Sequence, residues 1–297
     1  MIYREYGTTG KKISAVGFGG MRFEDIDNMD ASAEMLMTAL DKGINFFDTA
    51  PLYFKGKSEE VFGKAIPEMK KTGKDFYIST KSMAKNPVGV RKDLEKSLDR
   101  LGLDSVDFFN IWCVLSVDDY MERKNAGVLD EFYKIKEEGL ARHIGISTHM
   151  KGSEIASLVE TEPFEGIIAG YSAINFPFRE EGINAAVKKG LGLVIMNPLG
   201  GGTIVSNPDE FSLIKMNPHQ NMVEASLHFL LSNPGITSAL VGFGKKDHIE
   251  QAVSAVDSFK PYSDSEVEGL KLKIQEDFQD MCTTCGYCDV CPEDIRV

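Results

Sequence analysis

The sequence predicts an α/β protein: a closed (β/α)8 TIM barrel with a small N-terminal β-hairpin and a C-terminal helix plus a cysteine-rich segment. Three observations carry this expectation. Short apolar runs alternate with helix-period segments eight times along the chain. The runs are rich in Ile, Val and Phe and apolar on both faces, as parallel strands covered on both sides should be. Eight such units in ~250 residues match the usual span of a (β/α)8 barrel. A doubly wound open sheet is the alternative, but no G-x-G-x-x-G follows the first strand. The expected division is a barrel over residues 1–262 and a C-terminal piece over 263–297.

Taken in order, Ile2 to Tyr6, a Thr-Thr-Gly turn and Lys12 to Ser14 form the hairpin. Ala15 to Gly20 is the first barrel strand. Helix spacing from Asp30 to Lys42 makes Asp30 the expected N-cap and Gly43 the stop. The other seven strands fall within INFFDTA, FYISTK, VDFFNIWCV, HIGIST, GIIAGYS, LGLVIMNP and TSALVG. The intervening helices are expected at Ser58–Ile66 (capped by Ser58), Val88–Leu101, Val128–Glu138, Ser153–Val159, Glu180–Lys189, Asn221–Leu231 and Asp247–Val256. A charged amphipathic helix from Ser263 to Asp280 leads into the cysteines, its apolar positions being Val267, Leu270, Ile274 and Phe278.

The charge balance narrows the partners. With 33 Lys+Arg against 45 Asp+Glu, the net charge is −12. Such a surface repels nucleic acid and anionic membrane, so neither is an expected partner. No apolar run reaches the length of a signal core or a membrane span, which makes a cytoplasmic protein the default.

The chemistry concentrates in INFFDTAPLYFKGKSEE (Ile44 to Glu60) and DFYISTKS (Asp75 to Ser82). Asp48 and Lys81 end strands, and Tyr53 lies in the loop after Asp48. In a barrel these positions share one mouth. A phenol of pKa near ~10 is a poor acid at neutral pH. A neighbouring ammonium favours the phenolate and lowers that pKa. The carboxylate keeps the lysine charged and placed. The phenol can then protonate an oxygen as negative charge develops on it, which suits hydride delivery to a carbonyl carbon.

These stretches, with ISAVGFGGMRF, ARHIGISTH and MNPLGGG in the same order, resemble the aldo-keto reductase family over the whole barrel. The resemblance implies that Asp48, Tyr53 and Lys81 are catalytic, that the substrate is a small-molecule carbonyl compound, and that NADPH or NADH supplies the hydride. One position departs. The family places a His five residues after an Asp at the end of the fourth strand, and here Asp107 is followed at that distance by Trp112. An indole N–H donates a hydrogen bond but cannot relay a proton. Trp112 is expected to line and narrow the pocket, and Cys113 to face the core. The missing His keeps a second reading open: an altered barrel acting as a binding or electron-transfer protein.

The same resemblance sets the cofactor contacts. Ser147 and Thr148 match positions at the nicotinamide amide, with Gly20 and Met21 at the same end. Met196 stands where an aromatic commonly stacks. Leu199, Gly201 and Gly202 match the backbone that meets the pyrophosphate, where glycines permit close approach. Gly244 and Lys245 follow the last strand near a helix N-terminus. Lys245 could pair with a 2′-phosphate and favour NADPH.

Cys282, Cys285, Cys288 and Cys291 read C-x2-C-x2-C-x2-C-P. Dense clustering in a cytosolic chain points to metal. The spacing favours a [4Fe–4S] cluster over zinc, whose four-cysteine sites use two separated knuckles. It resembles the aldo-keto reductase branch with a ferredoxin-like extension, and implies a redox partner protein as one role for the cluster and a structural clamp as another. Members of that branch continue with a second cysteine run, whereas this chain stops six residues after Cys291, as a short form or an incomplete piece.

Overall fold

The computed structural model describes residues 1–277. An antiparallel hairpin, β1 (Tyr3–Glu5) and β2 (Lys12–Ser14), precedes the barrel. Eight parallel strands follow: β3 (Val16–Gly19), β4 (Phe46–Asp48), β5 (Tyr77–Ser82), β6 (Val106–Val114), β7 (Ala141–Thr148), β8 (Gly166–Gly170), β9 (Gly192–Met196) and β10 (Ser238–Gly242). Each pairs with its sequence neighbours, and β10 pairs back onto β3, closing the sheet. The expected (β/α)8 barrel is therefore present.

Around the sheet lie α1 (Met29–Asp41), α2 (Lys57–Lys71), α3 (Pro87–Leu101), α4 (Val117–Asn125), α5 (Val128–Glu137), α6 (Gly152–Thr161), α7 (Glu180–Lys189), α8 (Thr203–Ser206), α9 (Met222–Leu231), α10 (Lys246–Asp257) and α11 (Asp264–Asp277). Some details differ from expectation, the short helix α8 among them. Asn28, not Asp30, caps α1, its side chain accepting from the Ala31 N–H. Ser58 does not cap α2, which begins after Gly56 (φ +97°) and runs through Pro67 to Lys71. Its apolar face continues to the buried Met69, and that burial outweighs the one bond proline removes. Helix α4 was not expected, because VDDYMERKN buries only Tyr120 and Arg123 and shows no apolar stripe.

The core has two parts. Between strands and helices lies the large apolar layer that includes Phe18, Phe47, Phe62, Phe109 and Phe132. Inside the barrel, Tyr6, Ile13, Phe46, Phe108, Ile168 and Val194 pack together. Tyr6 enters from the hairpin and closes the N-terminal end. A Cβ on Gly166 or Gly192 would fall 1.9 or 2.2 Å from its ring or hydroxyl, so these glycines make its space. With that end filled, the opposite end carries the open cleft. On the outside, Leu270 and Ile274 of α11 are buried. Phe278 and the four cysteines lie outside the described residues.

Candidate active site

Each candidate reactive side chain is delivered by a strand end. Asp48 is the last residue of β4, and Lys81 is next to last in β5. Tyr53 opens a short turn held by Phe54 and Lys55 at positive φ (50° and 58°). All three line one cleft of about 390 Å³.

Asp48 and Lys81 form a buried ion pair, Oδ2 to Nζ 2.5 Å, with 1% and 2% of their side chains exposed. Ser79 Oγ donates to Asp48 Oδ1 at 2.8 Å, and Lys81 Nζ also donates to the Thr49 carbonyl at 2.8 Å. Asn110 Nδ2 in turn donates to Ser79 Oγ at 3.1 Å. Burial pushes Asp48 up and Lys81 down, and each opposes the other's shift. The hydrogen bonds match the charged forms: the carboxylate accepts two and the ammonium donates two.

Lys81 Nζ stands 5.2 Å from the centre of the Tyr53 ring. Tyr53 does not become the sharpened acid that the sequence suggested. Burial raises its pKa, with the Asp48 carboxylate and Cys113 adding, while Arg22 pulls the other way. The physical reason is burial first, with the Asp48 carboxylate beside the phenol second. Tyr53 is therefore a neutral phenol that retains its proton.

Trp112 lines the cleft as expected. Its ring meets that of Tyr53 edge to face, with centroids 5.5 Å apart at 88°. Cys113 departs from expectation. It is half-buried and lies near Tyr53, because a bulge breaks the strand's alternation there. Asp107 sits toward the other end of β6, bonded to the Ile78 N–H (2.9 Å) and to Arg142 (2.8 Å).

The expected cofactor residues divide. Met21, Ser147, Met196, Leu199, Gly201, Gly202 and Gly244 line the cleft. Three do not. Gly20 faces α2, where a Cβ would fall 2.6 Å from Ser58 Oγ, and Gly19 lines the cleft instead. The Thr148 hydroxyl donates to the Val114 carbonyl at 2.8 Å. Lys245 turns to Glu24 on the surface, 2.9 Å away. Sequence reasoning passed over Arg22, Asn197 and His248, which also line the cleft. Arg22 directly follows Met21 in the loop after β3, and that adjacency was the available signal. His149 lines the cleft too, and burial with the nearby Arg179 brings its pKa down to about 4, so the ring is neutral at pH 7.

Arg22 places a cation in the cleft wall of a chain whose net charge is −12. Gly201 and Gly202 have open space where a Cβ would stand, so a ligand can reach their backbone. Among the described residues no three His, Cys, Asp or Glu side chains are grouped to hold a metal ion. No helix among them is long and apolar enough to cross a membrane.

A tyrosine, lysine and aspartate converging at the C-terminal mouth of a closed (β/α)8 sheet, beside glycine backbone open to the cleft, fit the class of a barrel oxidoreductase. The family follows from comparison. The aldo/keto reductase family model matches residues 15–274, and the chain belongs to that family. An uncharacterized oxidoreductase of Bacillus subtilis, YqkF, is 25% identical over 311 residues, covering 93% of this chain and 98% of the relative. The L-galactose dehydrogenase of Arabidopsis thaliana is 27% identical over 289 residues, covering 85% and 87%. Among solved structures, the holo form of the Bacillus halodurans aldo-keto reductase AKR11C1 superposes with a TM-score of 0.79 at 23% identity, covering 93% of this chain and 96% of that one. The protein is an oxidoreductase of the aldo-keto reductase type.

Proposed function

We propose that the protein reduces a small-molecule carbonyl compound with NADPH or NADH, Tyr53 acting as the general acid. The observation that carries this reading is the convergence of Tyr53, the Lys81–Asp48 pair and Ser147 in one cleft. When bound, the dinucleotide would supply the hydride. Met21, Ser147 and Met196 would hold its nicotinamide end, and Leu199, Gly201, Gly202, Gly244 and Arg22 its phosphates. Arg22 replaces Lys245 in this assignment, because Lys245 is engaged by Glu24. A high phenol pKa in the resting cleft keeps the proton on Tyr53 until an oxygen that is becoming anionic lies against it. Trp112 closes one wall of the substrate space in place of the family's His.

Adding NADPH or NADH should quench the fluorescence of Trp112, the chain's single tryptophan, and a panel of aldehydes and quinones should then oxidise the bound cofactor. Tyr53→Phe should lower kcat by about 10²–10⁴-fold, the usual worth of a placed acid. Its dinucleotide affinity should stay nearly unchanged. Undiminished turnover by that variant would refute the role of Tyr53. Failure of the wild type to bind either dinucleotide would favour the binding-protein alternative.

We further propose that residues 263–297 form a C-terminal unit in which Cys282, Cys285, Cys288 and Cys291 hold a [4Fe–4S] cluster. The support is their spacing, and a cytoplasmic setting belongs to the same reading. The cluster would clamp the terminal helix or exchange electrons with a redox partner protein. Anaerobic iron and acid-labile sulfide analysis should find about four of each per chain. Zinc in their place would overturn it.

A further inference from the structure

The β6–β7 ladder pairs Ile111 with Ile146 and Val114 with Thr148, so Trp112 and Cys113 together oppose Ser147 alone. That two-against-one count is a β-bulge, a device that re-aims a side chain beside a site. The bulged Cys113 has φ +58°, a conformation that disfavours side chains with a Cβ and that its surroundings must hold. What holds it is visible. Arg123, 4% exposed, donates from Nη1 to the Trp112 carbonyl at 2.7 Å and from Nη2 to the Cys113 carbonyl at 3.3 Å. Asp119 grips the same guanidinium through both carboxylate oxygens, at 3.1 and 2.9 Å. Asp119 also accepts from the Leu115 N–H at 3.3 Å, tying α4 to the end of β6. The Val114 carbonyl is taken by the Thr148 hydroxyl and the His149 N–H. The Trp112 and Cys113 carbonyls are thus turned from the sheet to the guanidinium, while Val114 rejoins the ladder with β7.

We propose that Arg123 is the positioning residue of this site: it holds the β6 bulge, the bulge sets Trp112 edge-on to Tyr53, and that contact fixes where the phenol points. A guanidinium can serve two carbonyls and a carboxylate in one plane, and an ammonium cannot. The inference rests on the reading of Tyr53 as the acid only for its catalytic consequence, not for the placement of Trp112.

The test uses Trp112 as its own reporter, in the full-length protein without cofactor. Arg123→Lys should shift Trp112 emission to the red and raise its acrylamide quenching severalfold. Arg91→Lys, which weakens ion pairs to Glu131 and Glu138 on the outer layer, should change neither signal. With dinucleotide and a carbonyl substrate, Arg123→Lys should lower kcat by up to about 10²-fold, the order expected of a misplacement of about 1 Å. Its dinucleotide affinity should be retained. If Arg123→Lys fails to fold, Asp119→Asn loosens the same clamp more gently and should give the same optical changes. A folded Arg123→Lys, or Asp119→Asn in its place, with unchanged Trp112 emission and quenching would overturn the proposal. A wild type without turnover would overturn the reductase reading while leaving the optical result to decide this one.

Discussion

Lys81 is placed by what it cannot leave. Its ammonium is buried beside Asp48, and two acceptors use its protons. Removing one partner strands the other charge away from water. Lys81→Met is therefore expected to destabilise the fold by about 3–5 kcal/mol, measured by urea unfolding. Replacing Asp48 by Leu as well should recover much of that loss, because an apolar pair of similar volume avoids both desolvation costs. Equal losses for the single and double variants would show that the pair is not the source. At this scale the sequence was informative where chemistry follows a motif. D-T-A-x-x-Y and S-T-K marked Asp48, Tyr53 and Lys81, and the structure brings all three to one cleft. It was silent on the proton affinity of Tyr53, which depends on burial and on the nearby Asp48 carboxylate.

Elements are joined at the closed end by Glu165, just before β8. It accepts from the Ile144 N–H of β7 at 3.0 Å, from Lys136 of α5 at 2.6 Å, and meets His143 Nδ1 at 2.9 Å. Burial alone would raise its pKa, but these bonds pull it down to about 2. A carboxylate with a depressed folded pKa contributes stability that is complete above its unfolded value and is lost as pH falls through the folded one. Between about pH 4.5 and 2 the wild type should lose about 1–2 kcal/mol through this group, after allowance for its partial exposure. Glu165→Gln should lack that part of the acid dependence in denaturation curves taken across the window. An unchanged slope would remove the assignment. The elements themselves were legible where an apolar period marked them. The helix α4 was not, being polar apart from Val117, Tyr120 and Met121. The bulge in β6 was not either, since one extra residue leaves no compositional mark. Thr148, Gly20 and Cys113 were misplaced for the same reason: which face a strand-end residue takes depends on register within a residue or two.

For the whole molecule, alternation of apolar and helical runs was enough to specify the barrel, because eight parallel strands with covering helices leave few other arrangements. Closure has a cost in time that follows from connectivity. Val16–Gly19 finds one neighbour in Phe46–Asp48 almost at once but its other neighbour only in Ser238–Gly242. During synthesis at ~5–20 residues per second, that first ribbon of backbone waits on the order of ten seconds or more with one row of amides unmatched. The nascent chain is thus most vulnerable to wrong pairing not at its beginning or end but through the long interval between them. Whatever shelters it then must cover a sheet margin that the finished ring no longer has.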